Sequence, residues 1–302
     1  MVRKIFGFFY KETSSLNQAA LLLGLFAFLS QVLAFLRDRL LAHIFGASVE
    51  LDIYYAAFRI PDLIFVTVAS VVSLSVLIPF IIEKEALGHQ TLRDFVNSIF
   101  SFFSILIIAA SGLAYFLMPA LSSILFKGFS DAALTDVITI SRILLLSPVI
   151  LGFSNLFGSL TQAYNRFAIY ALSPILYNAG IIVGIILLAE RLGIMGVAFG
   201  VVLGASLHVL VQVPFVFASG LFPKLSFKSF DFAAIGKVVS ISLPRTLTLS
   251  MTNIATIFLV SMASLMAAGS VSVLSFSLNL QSMPLSIIGV SYSLAAFPTL
   301  SR

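Results

Sequence analysis

The chain has 302 residues, 60% of them hydrophobic and 10% charged, with a mean hydropathy of +1.13. A soluble domain carries about 25% charged residues, so this composition excludes a water-exposed globule and places the chain in lipid. The absence of cysteine excludes disulfides and thiolate metal sites, and the net charge of +5 is spread over loops rather than gathered into a nucleic-acid patch.

Residues 2–11 (VRKIFGFFYK) combine three cations with aromatics. The stretch is too short and basic to span, and it reads as an interfacial anchor at the cytoplasmic face. Thr13, Ser14 and Ser15 then offer N-cap chemistry for a long helix. Eight apolar segments of spanning length follow, at about 20 residues per crossing. They lie near 16–45, 53–82, 95–119, 134–162, 169–190, 195–219, 238–267 and 272–300. The expected fold is an all-α polytopic membrane protein. Residues 1–220 form a six-helix lobe, and 221–302 supply the first two helices of a second.

The cations set the orientation. With the N-terminus inside, the cytoplasmic ends hold Arg3, Lys4, Lys11, Lys84, Arg93, Arg166, Lys224, Lys228, Lys237 and Arg302. The opposite ends hold Lys127 and Arg191 together with Arg37, Arg39 and Arg59, so the bias points to N-terminus inside. Arg142 and Arg245 fall within helices, where long cationic side chains snorkel to an interface.

The sixth segment carries Gly196, Gly200 and Gly204 at four-residue spacing and the fifth carries Gly180 and Gly184, small-residue ridges of the kind that lets helices approach closely in lipid. Seven prolines, including Pro61, Pro148 and Pro174, interrupt helices and mark bends. A weak internal repeat pairs Gly46 and Pro61 with Gly269 and Pro284 at an offset of 223 residues. It restarts the pattern of helices one and two at helices seven and eight.

The functional lead is the first hairpin, 31–62. Arg37, Asp38, Arg39, Asp52 and Arg59 fall within 23 residues of an otherwise apolar region. Each charge near a bilayer core costs about 2.5–3.5 kcal/mol on insertion scales, so such residues face a cavity or a partner. Neighbouring helical residues point about 100° apart, so Arg37, Asp38 and Arg39 are not expected to share one cavity. Asp52, Tyr55, Arg59 and Asp62 recur at steps of three, four and three, a single polar stripe. That stripe either lines a cavity or pairs with itself at a wet helix end. Asn165–Arg166 reads as a helix-capping loop, and His208 either makes a polar contact between helices or couples protons. The acids are scattered, without DxD, HExxH or GxSxG, so an enzyme, a metal centre and a cofactor are not expected.

LRDRLLAHIFGAS followed by LDIYYAAFRIPDLI resembles the first hairpin of the MurJ/MviN lipid II flippase family. TQAYNRFAIYALSPILYN (161–178) resembles that family's junction between helices four and five, and the stretch 269–301 its helix eight. The family belongs to the multidrug/oligosaccharidyl-lipid/polysaccharide exporter superfamily, with two six-helix lobes around a central cavity and alternating access. The resemblance implies flipping of undecaprenyl-pyrophosphate-linked lipid II from the inner to the outer leaflet of the bacterial cytoplasmic membrane. Two other readings remain: export of another lipid-linked polysaccharide unit, and a non-transporting scaffold of cell-wall synthesis. Arg37, Asp38 and Asp52 fall on charged positions of the family pattern, and Arg59 where a cation is common. With Tyr55 they are the expected substrate-binding set. This chain departs from the pattern at Gln31, at Phe65–Val66 and at Leu278–Asn279, where the family carries charged residues. The partners implied are the lipid-linked glycan, membrane lipids, and a second chain or C-terminal half completing the second lobe.

Overall fold

The computed structural model describes residues 16–71, 74–226, 230–282 and 284–285, and these are helical with no strand among them. The expected N-terminal anchor, Lys228, Pro298 and Arg302 lie outside the described residues. The helices are α1 (Leu16–Phe45), α2 (Val49–Ala57), α3 (Arg59–Ala69), α4 (Leu74–Ala86), α5 (His89–Leu125), α6 (Asp131–Leu144) and α7 (Leu146–Ala163). Then come α8 (Phe167–Leu187), the single turn α9 (Ala189–Leu192), α10 (Ile194–Leu210), α11 (Val213–Ala218), α12 (Phe232–Ser264) and α13 (residues 270–282).

Six stretches among the described residues are long and apolar enough to cross a membrane: α1, α5, α6–α7, α8, α10–α11 and α12. The expectation of eight differs for two reasons. The eighth segment runs beyond the described residues. The second is not one helix but α2, α3 and α4 in series.

Prolines and their partners explain how breaks are tolerated. Pro61 has no N–H to give the Ala57 carbonyl four residues back. Ser141 Oγ on α6 donates to that carbonyl at 3.0 Å. Pro119 likewise abandons the Tyr115 carbonyl, and Arg142 Nε reaches it at 3.2 Å with its guanidinium over the Tyr115 ring. Arg142, expected to snorkel, thus supplies a donor that the apolar phase lacks.

The glycine ridges act in packing. A Cβ on Gly180 would come 2.3 Å from Gly204 Cα, and one on Gly184 would come 2.4 Å from Gly200 Cα. Backbone meets backbone between α8 and α10. Elsewhere a polar seam joins α3 to α12: Thr67 to Ser250 at 2.9 Å, Ser70 to Thr246 at 2.6 Å, and Ser242 Oγ to the Val71 carbonyl at 2.9 Å.

Loops alternate between two ends of the bundle. At one end Glu50 Oε1 accepts from Ile194 N at 3.0 Å, Gly128 packs on Ser264, and Gly269 packs on Ala47. At the other, Asn97 Oδ1 accepts from Lys224 N at 2.8 Å, Gly220 adjoins His89, and Arg166 lies over Phe215. Asn165 has φ 56° and Arg166 N returns to Thr161 O at 2.8 Å, a left-handed turn closing α7, as the capping reading expects. The two glycines of the internal repeat both adopt positive φ, Gly46 at 62° and Gly269 at 89°. Each opens a turn that leads into a helix, α2 and α13 respectively, and the Gly269 turn lies against the Gly46–Ala47 turn.

Candidate functional site

Arg37 leaves α1 two turns before its end and is held from two sides. Its Nε and Nη2 both donate to Asp38 Oδ1, at 3.0 and 2.8 Å, and its Nη1 donates to Asn178 Oδ1 at 3.1 Å. Asn178 is itself fixed: its Nδ2 donates to Ser30 Oγ at 3.2 Å and to the Pro174 carbonyl at 3.1 Å. Asp38 Oδ2 accepts from Asn279 Nδ2 on α13 at 2.9 Å. Asp38 therefore has a donor on each oxygen, the condition under which a carboxylate keeps its charge away from bulk water.

Arg37, Asp38 and Asn279 form one wall of a cavity of about 230 Å³ whose other walls are Tyr54, Tyr55, Phe58, Arg59 and Asp62 of α2–α3 and Tyr177 and Ile181 of α8. Arg59 donates from Nε to the Tyr55 carbonyl at 3.0 Å and from Nη2 to Ser275 Oγ at 3.3 Å. The Tyr55 hydroxyl is buried without a hydrogen-bond partner. Two guanidiniums and two carboxylates face this space, so its formal charge balances. Arg37, Asp38 and Asn279 also border a second groove, of about 380 Å³, together with Gln31, Phe35 and Phe276.

The expected set divides. Arg37, Asp38, Tyr55 and Arg59 come together around the cavity. Arg37 and Asp38 share it despite being consecutive, because the long guanidinium folds back to its neighbour's carboxylate. Arg39 is not part of that cavity but borders the second groove, which Arg37 and Asp38 also border, so the three consecutive residues do share one space, against the expectation.

Asp52 is placed elsewhere, and this corrects its assignment to the substrate site. It is 3% exposed, and its carboxylate accepts from Gly269 N at 2.7 Å, Ser272 N at 2.7 Å and Ser272 Oγ at 2.5 Å. It caps the N-terminus of α13, where backbone N–H groups and the helix dipole favour an anion. Each hydrogen bond to a charged group contributes about 1.5–3 kcal/mol. Asp52→Ala is therefore expected to lower the melting temperature in detergent and to expose 264–270 to protease, with Asp52→Asn milder. An unchanged melting temperature for Asp52→Ala would contradict the capping role.

Two polar lining residues, Tyr54 and Tyr177, escaped the sequence reading, as did Asn178, which holds Arg37; Asn279 stood out only as a departure from the family pattern. An amide inside an apolar span is the available signal, and it marks Asn178 and Asn279 alike. His208 takes the contact reading: its Nδ1 lies 2.6 Å from Ser154 Oγ, and Gln212 Nε2 donates to the same hydroxyl at 2.6 Å.

Residues 41–302 match the family model described as lipid II flippase MurJ. The match contains Asp52, Tyr55 and Arg59 and begins shortly after Arg37 and Asp38. The probable lipid II flippase MurJ of Buchnera aphidicola subsp. Schizaphis graminum is 29% identical over 285 residues, covering 92% of this chain and 55% of that protein. The lipid II flippase MurJ of Burkholderia cenocepacia is 24% identical over 299 residues, covering 95% and 57%. A solved structure of lipid II flippase MurJ in an inward closed conformation superposes with a TM-score of 0.75 at 25% identity, covering 91% of this chain and 57% of that one. An inward-facing multidrug resistance MATE family transporter shares the fold at a TM-score of 0.68 and 18% identity, over 89% and 63%. The chain thus spans little more than half the length of the curated relatives it matches. With most of its length inside the family model and its helices following a MurJ structure, this multi-pass membrane protein belongs to the lipid II flippase MurJ family.

Proposed function

We propose that this chain takes part in flipping undecaprenyl-pyrophosphate-linked peptidoglycan precursor from the inner to the outer leaflet of the bacterial cytoplasmic membrane. Transport proceeds by alternating access and without covalent chemistry. The observation that carries the reading is Arg37: a guanidinium fixed by Asp38 and Asn178 at the wall of a cavity within a membrane-spanning bundle. A planar, multi-donor cation is suited to phosphate oxygens, and holding it in place beforehand lowers the entropy lost on binding. Arg59 and Tyr55 are its proposed partners on the opposite wall. Residues 1–220 are read as one six-span lobe and 221–302 as the start of a second, in keeping with the paired turns at Gly46 and Gly269.

A second reading has its own support. The cavity's charges balance, and Phe65, Val66 and Asn279 stand where the family pattern carries charge. That favours a lipid-linked glycan with a different headgroup. A photo-crosslinking residue at Phe276, in the groove beside Arg37, separates the readings. Capture of a lipid-linked peptidoglycan precursor in cells supports the proposal, capture of another glycan lipid supports the second reading, and capture of phospholipid alone contradicts both.

The orientation is proposed as N-terminus inside, supported by the cation bias and by loops that alternate between two ends. Single cysteines at Gly88 and Ser226 are expected to resist an impermeant thiol reagent applied from outside, and those at Ser130 and Gly193 to react. The parent chain has no cysteine, so the background is clean. Labelling in the reverse sense would refute the orientation.

A further inference from the structure

The cavity contains two carboxylates in different circumstances. Asp38 accepts hydrogen bonds from Arg37 and Asn279. The Asp62 side chain lines the same space and has no hydrogen bond or ion pair to any described residue. Facing the same space, the Tyr55 hydroxyl is buried and also without a partner. A built polar site thus holds one carboxylate with no donor fixing its charged form and one hydroxyl with nothing to bond.

We propose that Asp62 is a proton-exchange site that sets the affinity of the cavity for an anionic headgroup. This rests on the reading that the cavity receives phosphate. With Asp62 ionised, Arg37 and Arg59 are balanced by Asp38 and Asp62, and an entering dianion meets no net attraction. When Asp62 takes a proton from water, the cavity carries one net positive charge. The new O–H becomes a donor for a headgroup oxygen, beside the Tyr55 hydroxyl. Departure of the headgroup lets the proton return to water, and the cycle balances. Anion binding is then accompanied by proton uptake, and affinity rises as pH falls.

The groups that face Asp62 are few. The cavity presents Arg37 and Asp38 from α1, Tyr54 and Tyr55 from α2, Arg59 from its own helix and Tyr177 from α8. Of the helices packed against α3, α7 carries no titratable side chain. The titratable groups of α5 (His89, Arg93, Asp94, Tyr115), α6 (Asp131, Asp136, Arg142) and α12 (Lys237, Arg245) are not part of the cavity wall. On α2, Glu50 and Asp52 are engaged with Ile194 and with the start of α13. Apart from Asp38, whose two oxygens are held by Arg37 and Asn279, no carboxylate is placed to substitute for Asp62.

The test uses the purified chain in detergent with sulfate, a dianion whose charge is constant across the range, titrated at about pH 8 and about pH 5. One linked proton makes the affinity rise by at most about tenfold per pH unit. The wild-type chain is expected to bind more tightly at the lower pH and to take up a proton, read with a pH-sensitive dye in weak buffer. Asp62→Asn is expected to bind with one affinity at both pH values and without proton uptake. Sulfate binding that is independent of pH in the wild type, or a pH slope that survives in Asp62→Asn, overturns the inference while leaving the anion site standing. No sulfate binding at either pH overturns the inference and the phosphate reading together. If Asp62→Asn fails to fold, proton uptake by the wild type on binding sulfate supports the inference and its absence overturns it.

Discussion

Gly184→Leu and Gly180→Leu are expected to yield no folded protein. In lipid, helices gain nothing from hiding apolar surface, so their association depends on close packing. Here that packing is backbone on backbone: a Cβ at either position would lie under 2.5 Å from a glycine Cα of α10. Overpacking a core costs about 1–3 kcal/mol when a side chain can give way. A facing backbone has no rotamer to change, so α8 and α10 must separate. The damage reaches the site, because α8 also carries Asn178, which holds Arg37. Gly24→Leu is the control, since nothing lies within 4 Å of a Cβ built there. Size-exclusion profiles and melting in detergent decide the question. A Gly184→Leu protein with wild-type melting would show that the ridge does not hold the two helices together.

The second large effect is at Arg37. Cells depleted of their own flippase are expected not to be rescued by the gene encoding this chain when it carries Arg37→Gln, and rescued poorly when it carries Arg37→Lys. A lysine ammonium is a point charge without the fork that meets Asp38 and Asn178 at once. Removing one member of this half-buried pair leaves the other charge uncompensated, so loss of function in Arg37→Gln alone is ambiguous between folding and binding. The pair Arg37→Gln with Asp38→Asn resolves this. It removes both charges, restores melting toward wild type, and still fails to rescue. Rescue by that double variant would mean that Arg37 serves Asp38 and not a substrate.

The hydropathy pattern alone located most spans, because a segment crossing lipid must be apolar for its whole length. It misjudged the second span, where the break at Phe58 depends on a serine from α6 that sequence proximity does not reveal. The first hairpin was legible as the candidate site because charges are costly in hydrocarbon, which makes Arg37, Asp38 and Arg59 conspicuous. Asp52 was conspicuous for the same reason, yet its partner is a helix terminus 217 residues away, visible only once the chain is folded. Asn178 and Tyr177 are uncharged and carried no comparable signal, and Asn279 stood out only against the family pattern. The helical-wheel argument failed because Arg37, Asp38 and Arg39 all border one groove: it follows Cβ directions, whereas a guanidinium reaches several bonds beyond its own.

We propose that the Arg37 cavity recognises a pyrophosphate-linked lipid. The most direct measurement is native mass spectrometry of the chain released from nanodiscs containing undecaprenyl-pyrophosphate-linked precursor, the matching monophosphate lipid and phosphatidylglycerol. The account predicts preferential retention of the pyrophosphate lipid, reduced by about tenfold or more in Arg37→Gln/Asp38→Asn, since one charge-assisted contact is worth about 1.5–3 kcal/mol. Equal retention of the three lipids, or retention of the pyrophosphate lipid unchanged by the double substitution, would contradict it.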